Sequence, residues 1–246
     1  DSLNGAIQAL IKSGDFSGQL ATSCILHTQG KGSKRIILIG TDGAATTQKM
    51  IKVMESAASL LRKTPSQKAL WIGDSFNDDH EWQASIMARS VQTSSYKYNG
   101  SSKPSKPNKL KSVTYWCAKK SQTVSAAKGL VYGNAVGNGM NTARGLADLP
   151  ANFCTPNYLA SQAKKLSKGQ AKVTTNILKE ADMKALGMGS LLSVSAGSVE
   201  PGNLIVMSYQ GAPKTAKPVV LVGKAVTFDT GGISLKGGRG MDERKF

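Results

Sequence analysis

Short runs rich in β-branched residues alternate along this chain with stretches whose apolar residues recur every three or four positions. Few architectures accommodate that alternation. Leu3, Ala6, Ile7, Leu10 and Ile11 share one helical face, and Gly14 supplies the stop. Residues 21–27 (ATSCILH) and 34–40 (KRIILIG) read as strands, and Thr41-Asp42-Gly43 has turn chemistry. Met50, Val53, Met54, Ala57, Leu60 and Leu61 mark an amphipathic helix. Residues 68–73 (KALWIG) read as a short buried strand. Strands and helices that alternate in this way bury their apolar faces best as layers. The pattern therefore predicts an α/β fold on a mostly parallel sheet.

Further along, residues 90–98 (SVQTSSYKY) and 109–118 (KLKSVTYWCA) are both strand-like by their β-branched and aromatic content. Residues 99–109, rich in Pro, Ser, Gly and Lys, then become a long basic loop between two strands. A helix is expected from Ser121 to about Leu149, with Ala126, Leu130, Val131 and Ala135 inward. Gly129, Gly133 and Gly137 repeat at the spacing of a membrane GxxxG face. Asn134, Asn138 and Asn141 beside them favour close helix packing outside a membrane instead. Thr155 followed by Pro156 predicts an N-cap and a proline in the first helical turn. Strands are expected at 171–178, 204–211 and 217–224, with a short helix over 180–189. The organisation read from this pattern is an N-terminal α/β domain over 1–120, a connecting helix over 121–150 and a second α/β domain over 151–246.

Composition narrows the function classes. Hydrophobic residues make up 40% of the 246, enough for a packed core, so global disorder is excluded. No apolar run reaches the roughly 18 residues of a membrane span. The first residues lack the basic and apolar regions of a signal peptide. Cys24, Cys117 and Cys154 are widely spaced, which points to reduced thiols and a cytoplasmic setting. Lys and Arg number 32 against 15 acids, a formal net charge of +17. No acidic residue lies between Glu81 and Asp148. Lys97, Lys103, Lys106, Lys109, Lys111, Lys119 and Lys120 fall in that gap, and such a field attracts polyanions. The competing reading is a solubilising surface.

Chemistry concentrates near the C-terminal end. Lys224 follows an apolar strand, Val219 to Val222, and Asp229 precedes Gly231 and Gly232, with Lys236 just beyond. A buried strand end is costly for charges unless they are compensated, and glycines allow backbone and ligand to approach closely. Read locally, each residue also has a plain role: a solvated cap, an Asp closing a Thr-Gly-Gly turn, a loop lysine. Other clusters carry less. Asp74, Asp78, Asp79, His80 and Glu81 lack the EF-hand glycine and suit a helix N-terminus. Gly30 to Lys34 precedes a strand where a phosphate loop would follow one. His27 and His80 have no partner at metal or triad spacing.

Three ordered blocks resemble the M17 leucyl aminopeptidase family: GMNTARGLADLPANFCTPNYLASQA from Gly139, LGMGSLLSVSAGSVEPGNLIVMSY from Leu186 and VGKAVTFDTGGISLK from Val222. The resemblance implies a two-domain α/β metallopeptidase: a smaller N-terminal domain followed by a catalytic domain of which these residues form the first part. It implies two divalent metal ions per site, zinc, manganese or magnesium, with Lys224 and Asp229 as ligands and Lys236 near the scissile carbonyl. The implied reaction is release of N-terminal residues from peptides by a metal-activated water, in a cytoplasmic homohexamer. Two of the family's five metal ligands match here, and the remaining ones fall beyond Phe246 in the family pattern. The 246 residues alone are therefore expected to be inactive. Arg244 stands where the family carries a methionine that lines the pocket for a leucine-type first side chain. A second reading is a nucleic-acid-binding protein on this scaffold, with sequence-independent DNA binding through the basic 89–128 region.

Overall fold

The computed structural model describes residues 2–28, 32–43, 46–73, 79–98 and 109–240. The chain divides into two compact units, 1–143 and 144–246. Both mix helices with two-stranded sheets.

In the first unit, α1 (Ser2–Ser13) ends at Gly14, whose φ of +82° only glycine adopts cheaply. Strands β1 (Ser23–His27) and β2 (Arg35–Ile39) pair antiparallel. Helix α2 (Thr47–Lys63) starts on the side chain of Thr46, which accepts from the Lys49 N–H. Its buried stripe, Met50, Val53, Met54, Ala57, Ala58 and Leu61, recurs at helical spacing. Strand β3 (Lys68–Ile72) pairs in parallel with β4 (Ser112–Trp116), and α3 (His80–Thr93) is the crossover between them. Met54, Ile86 and Met87 form the core, with Trp71, Val113 and Tyr115 of the β3–β4 pair packed against it. Arg62 ties α2 to the end of α3, its Nη2 donating to the Val91 carbonyl at 2.8 Å. Burial lowers the pKa of its guanidinium.

Helix α4 (Thr123–Asp148) lays its glycines against α3. A Cβ at Gly129 or Gly133 would strike the carbonyl oxygen of Glu81 or Ser85. The approach is sealed by Gln92 Nε2 donating to Asn134 at 2.9 Å and by Asn141 donating to the Gln92 carbonyl at 2.9 Å. The expected inward face is corrected here. Ala126 is buried and Leu130 packs on the core, but Val131 (73% exposed) and Ala135 face outward. Glycines, not larger apolar residues, line the contact because backbone-to-backbone approach leaves no room for side chains.

In the second unit, α5 (Pro156–Ser167) is capped by Thr155, whose hydroxyl accepts from the Tyr158 N–H at 3.2 Å. Strands β5 (Val173–Leu178) and β6 (Leu204–Tyr209) pair antiparallel, with α6 (Glu180–Ala185) and α7 (Gly189–Ser195) between them. Glu180 Oε1 accepts from Ser195 Oγ and from the Gly202 N–H, both at 3.0 Å, which fastens the α7 connection.

Several strand expectations are corrected. Of the three strand pairs among the described residues, only β3–β4 is parallel. Residues 90–93 complete α3 instead of forming a strand, because they continue a helix that Asp79 caps and that buries Ile86 and Met87 in the core. The basic stretch thus follows a helix, and residues 99–108 lie outside the described residues. β3 is half-buried on one face and exposed on the other. Residues 217–224 form no strand: Val219, Val220, Leu221 and Val222 are 74–95% exposed. A strand requires a ladder partner for its backbone groups, and none of the described residues supplies one.

Candidate active site

The segment from Gly223 to Lys236 is irregular, yet it converges on one carboxylate. Asp229 accepts the Gly231 N–H at 3.1 Å through Oδ1 and pairs with Lys236 Nζ at 2.7 Å through Oδ2. Lys236 returns to that point because its own N–H donates to the Thr230 carbonyl at 2.9 Å. Gly231 (φ +91°) and Gly232 (φ +66°) make the turn. A Cβ on Gly231 would strike the Ser234 carbonyl, so the turn needs glycine there for space as well as for φ.

The electrostatics follow from this geometry. The Lys236 hydrogen bond holds the Asp229 carboxyl below its ordinary range. The Gly231 N–H acts in the same direction, desolvation opposes both hydrogen bonds with a smaller effect, and the charges of Lys236 and Lys224 add the least. Asp229 and Lys236 meet at one turn, and Asp229 does close the Thr-Gly-Gly turn as its plain reading expected. The sequence reading did not foresee the direct Asp229–Lys236 pair. Its signal was present as opposite charges flanking a Gly-Gly turn. Thr230, which positions Lys236 through its carbonyl, carries no side-chain signature.

The donor set fits one side of a divalent cation. An ionised carboxylate that is 42% exposed has a face open to a ligand, and an amine lies in its field. Among the described residues no three His, Cys, Asp or Glu gather into a fuller shell. Arg244 lies outside the described residues, as do Lys103 and Lys106. The remaining basic candidates fall into separate groups. Lys109 and Lys111 lie before β4, Lys119 and Lys120 lie after it, and Lys97 follows α3. His80, in contrast, is a core residue, 2% exposed, with Nδ1 at 3.2 Å from the Tyr115 hydroxyl.

Comparison with known proteins places this turn in a family. The model of the cytosol aminopeptidase family's catalytic domain matches residues 141–246, and that of its N-terminal domain matches residues 1–104. The chain belongs to the cytosol aminopeptidase family. It is 39% identical over 245 residues to a probable cytosol aminopeptidase of Alcanivorax borkumensis, and 38% identical over 253 residues to one of Paraburkholderia phytofirmans. Those matches cover 98% and 100% of this chain and 50% of each relative, so the chain spans about half the length of the curated relatives it matches. Among solved structures, a tomato leucine aminopeptidase mutant superposes with a TM-score of 0.80 at 27% identity, covering 94% of this chain and 46% of that one. The bottromycin maturation enzyme BotP, solved in complex with Mn, shares the fold at a TM-score of 0.72 and 22% identity, covering 94% of this chain and 48% of that one.

Proposed function

We propose that this chain carries part of the active site of a metal-dependent aminopeptidase that releases N-terminal residues from peptides. The observation that supports it is the pairing of Asp229 with Lys236 across one glycine turn, with the charge of Lys224 acting on the same carboxylate, inside the segment matched by the catalytic-domain model. The Asp229 carboxylate and the Lys224 amine would hold divalent metal, zinc, manganese or magnesium. When bound, a pair of such ions supplies an activated water and Lewis-acid polarisation of the carbonyl.

The residues of this chain have their own parts. Asp229 is ionised at neutral pH, so it receives a cation without first losing a proton. Lys224 ligates only as the neutral amine, which neighbouring positive charge favours. Lys236, held at Asp229 by one ion pair and one backbone hydrogen bond, can donate to the oxyanion that develops on the scissile carbonyl. Arg244 stands in the sequence where the family carries a pocket-lining methionine, and in the full-length enzyme it would set the tolerance for acidic first residues against a leucine-type preference. A homohexamer and a cytoplasmic setting complete the reading. Among the described residues no helix is long and apolar enough to cross a membrane.

The test is turnover of an aminoacyl substrate by the full-length protein. Lys236→Ala should lose about a hundredfold or more, the scale of an oxyanion donor. Asp229→Ala should lose most turnover even in saturating manganese. Near-wild-type turnover of Asp229→Ala would overturn the metal assignment.

A further inference from the structure

The two oxygens of the Asp229 carboxylate are engaged differently. Oδ1 accepts the Gly231 N–H at 3.1 Å, so it is fixed to the backbone of the turn. Oδ2 takes the Lys236 ammonium at 2.7 Å, a contact made by a side chain alone. The turn does not depend on that contact. The Lys236 N–H donates to the Thr230 carbonyl at 2.9 Å, and Gly231 and Gly232 supply the two positive-φ positions, wherever the ammonium points. The lysine stem lies over Gly231, where a Cβ would stand 2.9 Å from Lys236 Cγ. Rotation beyond Cγ can therefore carry the ammonium away while the backbone stays. Both side chains reach solvent, Lys236 at 35% and Asp229 at 42%. An ion pair this open contributes little by itself and can exchange its cation.

We propose that Lys236 and the divalent cation compete for Oδ2 of Asp229, so that cation binding releases the lysine toward the substrate. The inference rests on the reading of Asp229 as a metal ligand and adds an order of events to it. A divalent cation takes a carboxylate oxygen into its coordination shell and brings two charges where the ammonium brings one. An ammonium kept on the same oxygen would face it at close range, and the two repel. Lys236 is also aimed at a carboxylate as long as the pair holds, whereas an oxyanion donor must be aimed at the scissile carbonyl. Lys236 thus acts twice: it holds back cation binding, and once displaced it meets the developing oxyanion. A lysine that merely clasps the turn predicts the opposite. It would preform the carboxylate for the cation, and its removal would weaken cation binding.

The experiment is isothermal titration calorimetry of Mn²⁺ into the full-length protein after chelation and dialysis. Lys236→Met, which keeps the stem and removes the charge, should bind Mn²⁺ about fivefold more tightly, the upper end for an exposed ion pair. Lys236→Arg, which keeps the charge, should bind like the parent. Asp229→Asn should lose most of the affinity. A second measurement needs no substitution: modification of lysines by an amine-reactive ester, quantified by peptide mass spectrometry. Saturating Mn²⁺ should raise the modification of Lys236, and in Asp229→Asn that modification should be high without Mn²⁺ and unmoved by it. The inference is overturned if Lys236→Met binds Mn²⁺ no more tightly than the parent while Asp229→Asn loses it. It is also overturned if Mn²⁺ leaves or lowers the modification of Lys236 in the parent. An Asp229→Asn variant that binds Mn²⁺ like the parent overturns the metal reading of Asp229 and this inference together.

Discussion

Asp229 concentrates several demands in one side chain. It caps a turn, pairs with Lys236 and is proposed to take a cation. Its folded pKa lies below the ordinary carboxylate range, with the Lys236 hydrogen bond as the first cause. A carboxyl lowered on folding contributes order that is complete above its unfolded pKa and is lost as pH falls through the folded one. The Asp229 to Lys236 turn should therefore stay closed at neutral pH and open in acid, below the usual aspartate titration. Protection factors of the Gly231 and Lys236 amides against pH measure this, and in Asp229→Asn the acid transition should vanish. Arg244 makes a separate claim at the same scale. A guanidinium in an apolar pocket must find a partner or extend to solvent along its methylene stem. If the guanidinium stays to pair with an acidic first side chain, Arg244→Met in the full-length protein should raise the Leu-to-Glu ratio of kcat/KM on aminoacyl substrates. An unchanged ratio would remove Arg244 from the pocket.

At the scale of elements, α4 shows how one residue type does opposite things along one helix. Gly133 lies against the Ser85 carbonyl of α3, so Gly133→Ala must push the two helices apart. The helix propensity gained, ~1 kcal/mol, is smaller than the usual upper cost of overpacking, ~3 kcal/mol. A net loss of about 1–2 kcal/mol is expected. Gly139, on the same helix, has open space around its Cβ position, and Gly139→Ala should stabilise by up to about 1 kcal/mol. Chemical denaturation followed by circular dichroism gives both signs. Equal effects would mean that α4 does not approach α3 so closely.

For the molecule as a whole, the segment Pro218 to Val222 is the conspicuous exposure. Four consecutive β-branched or leucine side chains stand 74–95% exposed, with no ladder partner among the described residues. Such a run is a template for pairing with another chain. The 246-residue chain should associate with rising concentration, and Leu221→Lys should suppress that association in light scattering. Association unaffected by the substitution would place the sticky surface elsewhere.

The sequence by itself determined the family, through three blocks of ordered residues, and most of the elements. Helix α2 was legible because its apolar stripe repeats at 3.6 residues, and α5 because Thr155-Pro156 is a local cap. The turn at Gly231 was legible because glycine there is a backbone requirement. These signals are local, and local chemistry survives without knowledge of the rest of the fold. What tertiary structure decided is everything that depends on a neighbour distant in sequence. Residues 90–93 include β-branched side chains but finish a helix, since burial of Ile86 and Met87 on that helix outweighs propensity. Val131 turned outward because three glycines offered α3 a closer contact than any side chain could. Residues 217–224 have the composition of a strand without being one, because a strand exists only when another backbone completes its hydrogen bonds. The pairing of Lys236 with Asp229 and the two-faced β3–β4 pair belong to the same class. Each is a relation between residues that only the folded chain brings together.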